Sequence, residues 1–154
     1  MVMSWGAGNG DQQDIGQYRA TLMCEASLIM IRMNFDTWRH YIRARLFEML
    51  GRHERALAEY HEAFRLDPGF RRAANALAWR YASAEKYVEA IRYFGEALRL
   101  KAGDAVAHYN LGFVYAKNGQ PRDAIAHFRS AVDLRAGLDM AWYGMGLAHA
   151  ALGE

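Results

Sequence analysis

The sequence predicts an all-α fold, a right-handed solenoid of antiparallel helical hairpins, and three observations lead there. First, the stretch GRHERALAEYHEAFRLDPGF at 51–70 returns as EKYVEAIRYFGEALRLKAGD at 85–104 and as GQPRDAIAHFRSAVDLRAGL at 119–138, a period of 34 residues. A fixed period in this range marks stacked units that are each too small to bury an apolar face alone and are completed by a neighbour. Second, the apolar residues inside each unit follow helical spacing: Leu57, Tyr60 and Phe64, then Ile91, Phe94 and Leu98, then Ile125, Phe128 and Val132. Third, Ala56, Ala90 and Ala124 recur in register, small residues where two backbones must approach.

In chain order, residues 1–17 are Gly-rich and polar and read as a flexible tail. Residues 18–36 read as an N-terminal capping helix, with Leu22, Ala26, Ile29 and Met33 on one side. Repeats follow at 37–70, 71–104 and 105–138. The first half of each is helical, since Leu77 and Tyr81, then Leu111 and Tyr115, stand four residues apart. Residues 139–154 supply the first helix of an incomplete fourth repeat, with Trp142, Met145 and Gly146 in register. Gly119 is expected to reverse the chain between helices in a left-handed conformation, and Gly69, Gly103 and Gly137 to close the second helices in the same way. Asp104 and Asp139 are placed to cap the following helices. Ala78, Gly112 and Gly146 are expected at close helix contacts.

Composition bounds the function. Hydrophobic residues make up 53% of 154, enough for a core, and a formal charge of +2 demands no acidic partner. One cysteine, Cys24, cannot form an internal disulfide and sits on an apolar helix pattern, as an inert buried thiol would. The apolar run at 21–33 is interrupted by Glu25 and Arg32, so no membrane span is expected. With no signal-peptide pattern at the start, the expectation is a cytoplasmic protein. No hydroxyl residue pairs with a histidine in a catalytic arrangement, and the six histidines show no ligand pairing, with His108 and His127 assigned to packing positions on different helices. The expectation is therefore no catalytic residue, no metal and no cofactor.

At this point the residues spell a family. Leu111, Gly112, Tyr115, Ala124, Phe128 and Ala131 resemble the tetratricopeptide repeat, as do Leu77, Ala78, Tyr81, Ala90, Phe94 and Ala97, and Ala44, Phe47, Ala56, Tyr60, Ala63 and Pro68. Arg43 stands where Leu is usual, Glu85 replaces the turn glycine, and Ala102 and Ala136 replace the closing proline. The resemblance implies a non-enzymatic scaffold whose first helices line a concave groove. Carried over position by position, the groove wall is Trp38, Tyr41 and Arg45; Arg72, Asn75 and Trp79; Tyr109, Phe113 and Lys117; Tyr143 and Leu147. Such a wall suits a peptide or helix of another protein. The chaperone-tail clamp of one subclass is not matched: Tyr41, Arg45, Ala76 and Val106 fill its positions and only Asn110 survives.

Two rival readings are weighed. Arg39, Arg43, Arg45, Arg52, Arg55, Arg65, Arg71, Arg72 and Arg80 make the first two repeats basic, and helical repeats can bind RNA. The interleaved Glu48, Glu54, Glu59, Glu62 and Asp67 point instead to a solvated surface laced with i,i+4 pairs, and nucleic acid is not expected. Trp142, Met145, Leu147 and Leu152 leave apolar surface on the last helix, as expected either of a piece of a longer array or, the other rival, of self-assembly into a homo-oligomer through that helix.

Overall fold

The computed structural model describes residues 35–153; the tail at 1–17, almost all of the capping helix at 18–36, and Cys24 lie outside the described residues. Within that span there are seven helices and no strand. They are α1 (35–49), α2 (His53–Leu66), α3 (Arg71–Ser83), α4 (Tyr87–Leu100), α5 (Ala105–Lys117), α6 (Pro121–Leu134) and α7 (Asp139–Leu152). Each packs on its neighbour in sequence, and α5 also reaches α7 across α6.

The small residues of the repeat mark where the helices press together. Ala44, Ala56, Ala78, Ala90 and Ala124 are all completely buried. Beside them, Tyr60, Phe94 and Phe128 are the largest fully buried side chains, one per hairpin, and Phe128 lies between the first helices α5 and α7. One apolar cluster runs from Ala44 to Val114, a second from Ala124 to Ala148, and Tyr115 packs against both. Small residues on one helix thus receive an aromatic from the next, a packing density that loose apolar filling cannot reach.

Helix starts depend on this packing more than on caps. Of α2 to α7, only α5 has a side-chain cap: the Asp104 carboxylate accepts from the amides of Val106 and Ala107, both at 3.2 Å. Asp139 does not cap α7; it is the helix's first residue, and Leu138 stands at the cap position with no side-chain bond. Pro121 opens α6, where its missing amide hydrogen and fixed φ cost nothing.

The turn inside each hairpin is built identically. The amides of Arg52, Lys86 and Gln120 donate back to the carbonyls of Phe47, Tyr81 and Tyr115 at 2.8, 2.9 and 2.9 Å, and the residue before each is left-handed. Those residues are Gly51 (φ 69), Glu85 (φ 57) and Gly119 (φ 75), with Gly153 (φ 76) next in the same register. Gly69, Gly103 and Gly137 are not left-handed, which corrects the expectation for the second-helix ends. There the chain leaves through Asp67, Lys101 and Arg135 with φ of −140, −151 and −151, so no positive φ is required. Glu85 is the one non-glycine residue with positive φ among the described residues, and such a conformation costs an L-residue about 1–2 kcal/mol. Glu85→Gly is expected to raise stability by about 1 kcal/mol, read as a higher urea midpoint at unchanged slope.

Candidate functional site

All eleven side chains expected on the groove wall lie on first helices, namely α1, α3, α5 and α7. At the N-terminal side the structure gathers Trp38, Tyr41 and Arg72. The Trp38 ring meets Tyr41 edge-on at 5.7 Å, and the Arg72 guanidinium lies 5.1 Å from the Trp38 ring centroid. Phe70 completes this cluster, 5.1 Å from Trp38 and 5.3 Å from Tyr41. Sequence reasoning missed Phe70 because it stands at the start of α3, in the register Asp104 occupies one repeat later. The signal available was an apolar residue where a polar cap is usual.

Further along, Trp79 rests edge-on against buried Phe94 at 5.6 Å yet stays 44% exposed, and Tyr109 tilts over Phe128 at 5.9 Å. Phe113 is partnered by Lys117, whose Nζ stands 5.7 Å from the ring centroid. Leu147 and Tyr143 are exposed on α7, and Asn75 is half-buried on α3. Arg45 is paired on its own helix: Glu48 accepts from it at 2.9 Å, and the same carboxylate oxygen accepts from the Tyr60 hydroxyl at 2.8 Å. Burial, together with that bond to Glu48, holds the Tyr60 hydroxyl well above the ordinary tyrosine pKa. Asn110 is buried, so the one surviving clamp residue is not displayed.

Phe113, Lys117 and Leu147 also border a cavity of about 500 Å³ between the end of α5, the start of α6 and α7, with Phe128 among its lining residues. No motif in the sequence announces it.

The charged residues are organised differently from a freely solvated surface. Pairs within helices are spaced i,i+3, as Asp36–Arg39, Arg45–Glu48, Glu62–Arg65 and Glu96–Arg99. Others cross between helices: Glu59 holds His40 at 2.6 Å and Arg43 at 2.9 Å, and Asp104 holds Arg71 at 2.7 Å. Six of the nine arginines counted above therefore face a carboxylate, Arg80 through Glu48 at 4.0 Å. Arg52, Arg55 and Arg72 are the three of these nine with no such pair among the described residues.

The histidines correct one expectation. His108 and His127 do meet, with their Nδ1 atoms 3.2 Å apart. Because the Ala102 carbonyl can only accept, His108 donates to it from Nε2 at 3.1 Å, and its Nδ1 accepts from His127. His127 also stacks on Tyr115 at 5.3 Å. The pair occupies the register of His40 and Glu59, two repeats earlier, so the repeat itself sets the meeting. Among the described residues no group of three or more His, Cys, Asp or Glu is placed to hold a metal.

Burial pushes the pKa of His127 below its ordinary value, and neighbouring His108 adds to the shift. Burial does the same to His61, helped by Arg92. A histidine kept neutral in the folded state binds fewer protons than the unfolded chain below about pH 6.5, so folding stability falls as pH drops through that value. The urea midpoint is accordingly expected to be lower at pH 5.5 than at pH 7.5. His127→Tyr, which installs the residue found at this register in repeat 2, is expected to flatten part of that dependence.

Seven helices in a 34-residue register, with aromatic and basic side chains ranged along the first helix of each hairpin, define an α-solenoid repeat protein. Residues 81–141 match the family model of the tetratricopeptide repeat. Similar solved structures include YrrB, described as a tetratricopeptide repeat protein with an unusual peptide-binding site, at 29% identity and a TM-score of 0.69. That match covers 82% of this chain and 66% of that one. MamA is 19% identical with a TM-score of 0.73, covering 98% of this chain and 87% of its own. The second such domain of human RPAP3, solved with an HSP70 peptide, is 20% identical with a TM-score of 0.70, covering 76% and 98%. No curated protein matches the sequence. Over residues 81–141 the sequence matches tetratricopeptide repeats, and the fold is that of these solved structures. No helix among the described residues is long and apolar enough to cross a membrane.

Proposed function

We propose that the protein is a non-enzymatic adaptor that holds a peptide or helix of a partner protein against its first helices. The observation that carries this reading is the exposure of large side chains there. Trp79 is 44% exposed, Tyr143 69% and Leu147 55%, whereas the aromatic knobs of the second helices are buried. Rigid aromatics beside cations lose little freedom on binding and make good anchors. YrrB and the RPAP3 domain, both solved as peptide-binding repeat proteins, are consistent with it.

Capture of a partner from lysate of the source organism, with and without nuclease, tests the reading. The comparison is with Arg72→Glu/Tyr143→Ala, two exposed positions whose change leaves the core intact. A protein retained by the parent and lost by the variant supports the adaptor. Capture that nuclease abolishes, and that the variant leaves unchanged, would move the function to RNA.

Self-association is a second reading, favoured by one observation. Helix α7 also exposes Met140 and Trp142, at 59% and 50%. Light scattering at high concentration that gives a dimer mass supports it; a monomer mass removes it.

A further inference from the structure

The cavity beside α7 has its origin in the repeat register. The residues α7 presents to it are Gly144, Leu147, Ala148 and Ala151. Thirty-four positions earlier stand Asn110, Phe113, Val114 and Lys117, every one of them larger. One repeat earlier the equivalent positions carry that bulk: Val114 is completely buried there, and Trp79 lies on Phe94. In the last junction the substitutions remove that bulk, and about 500 Å³ opens over Phe128. This volume is within the range of sites that enclose small organic groups, ~300–1,000 Å³.

Charge narrows what could enter. Helices α3 and α5 carry Arg71, Arg72, Arg80 and Lys117 and no Asp or Glu. Arg71 and Arg80 are turned to Asp104 and Glu48. Arg72 and Lys117 remain, each over an aromatic ring and neither in an ion pair among the described residues. Lys117 borders the cavity itself. A carboxylate arriving there meets an ammonium without a competing acid, while a basic segment meets like charge.

We infer that this cavity is a socket for one large apolar side chain, Leu, Met or Phe, of a partner segment that carries Asp or Glu within two residues of it, with the carboxylate on Lys117. The inference rests on the groove-binding reading above and deepens it. The acidic residue sets register and selects against basic segments, and the apolar side chain supplies the buried contact.

The test is selection of a random ten-residue peptide library on the full chain, followed by fluorescence anisotropy with the synthetic winners. Ala151 is exposed at the cavity's rim, so Ala151→Phe projects into the cavity without replacing a core residue. Winners are expected to pair Leu, Met or Phe with a nearby Asp or Glu. Ala151→Phe and Lys117→Glu should each weaken them at least tenfold with helicity unchanged, and exchanging the peptide's acid for Lys should abolish binding. If the winners lack this pattern and ignore both variants, yet weaken with Arg72→Glu/Tyr143→Ala, the socket falls and the groove reading stands. If no peptide is selected, both fall. A synthetic peptide of residues 1–17 that displaces the winners would make the chain's own tail the occupant, and a dimer mass lost in Ala151→Phe would make it a second copy; either overturns the inference.

Discussion

Phe128→Ala is expected to destabilise the protein by about 3–5 kcal/mol, the range for deleting a buried aromatic ring. The ring is 2% exposed and lies between α5 and α7. A Cβ built on Gly112 of α5 would stand 2.8 Å from it, one on Gly144 of α7 would stand 2.7 Å from it, and Tyr109 lies over it at 5.9 Å. Removing it leaves a void that joins the existing cavity and strips α7 of its main anchor. In a solenoid, stability is a sum of units and interfaces, so the loss should be local before it is global. Hydrogen exchange should therefore show α7 amides losing protection first while α3 and α4 keep theirs. Equal loss of protection along the whole array would mean that the two apolar clusters act as one cooperative core. Comparable protection of α7 in parent and variant would mean that α7 is held by something other than this ring.

The architecture was legible in the sequence because each repeat states its packing three times. Ala56, Ala90 and Ala124, and the knobs Tyr60, Phe94 and Phe128, are buried where a 34-residue register puts them. What escaped was detail on which the copies differ or which lies between elements. Glycines at 69, 103 and 137 look like the left-handed Gly119, but residue type cannot distinguish a helix stop made by a positive φ from one made by an extended residue. Asp139 looks like Asp104, and a shift of one residue in the helix start separates a cap from a first-turn acid. His108 and His127 are 19 residues apart and meet only because the hairpin folds them together, a spacing that His40 and Glu59 repeat. The candidate site divides along the same line. Its side chains could be placed on the correct helices by register, whereas the cavity arises from missing bulk at Gly144, Ala148 and Ala151, and an absence of bulk has no motif.

Gly144 and Gly146 are two residues apart on one helix, and their replacement by Ala is expected to have opposite effects. Gly146 was expected at a close contact by analogy with Gly112, but a Cβ there meets nothing within 4 Å. Gly146→Ala should therefore show only the helix-propensity gain, about 0.5–1 kcal/mol of added stability. At Gly144 the added Cβ lies 2.7, 2.9 and 3.0 Å from three atoms of the Phe128 ring. The ring is also approached closely by α5, where a Cβ added at Gly112 would stand 2.8 Å from it. The same propensity gain is then outweighed by overpacking, and Gly144→Ala should cost about 1–3 kcal/mol. Urea midpoints of the two variants against the parent read the sign directly. Phe128→Leu separates the causes, because a smaller side chain at 128 makes room for the new methyl. The double variant Gly144→Ala/Phe128→Leu should be more stable than the sum of its parts allows, with a coupling of about 0.5–3 kcal/mol for residues in contact. Strict additivity would place the cost of Gly144→Ala in the backbone of α7 instead of at the ring, and the close approach of α7 to Phe128 would then not be what holds the last helix in place.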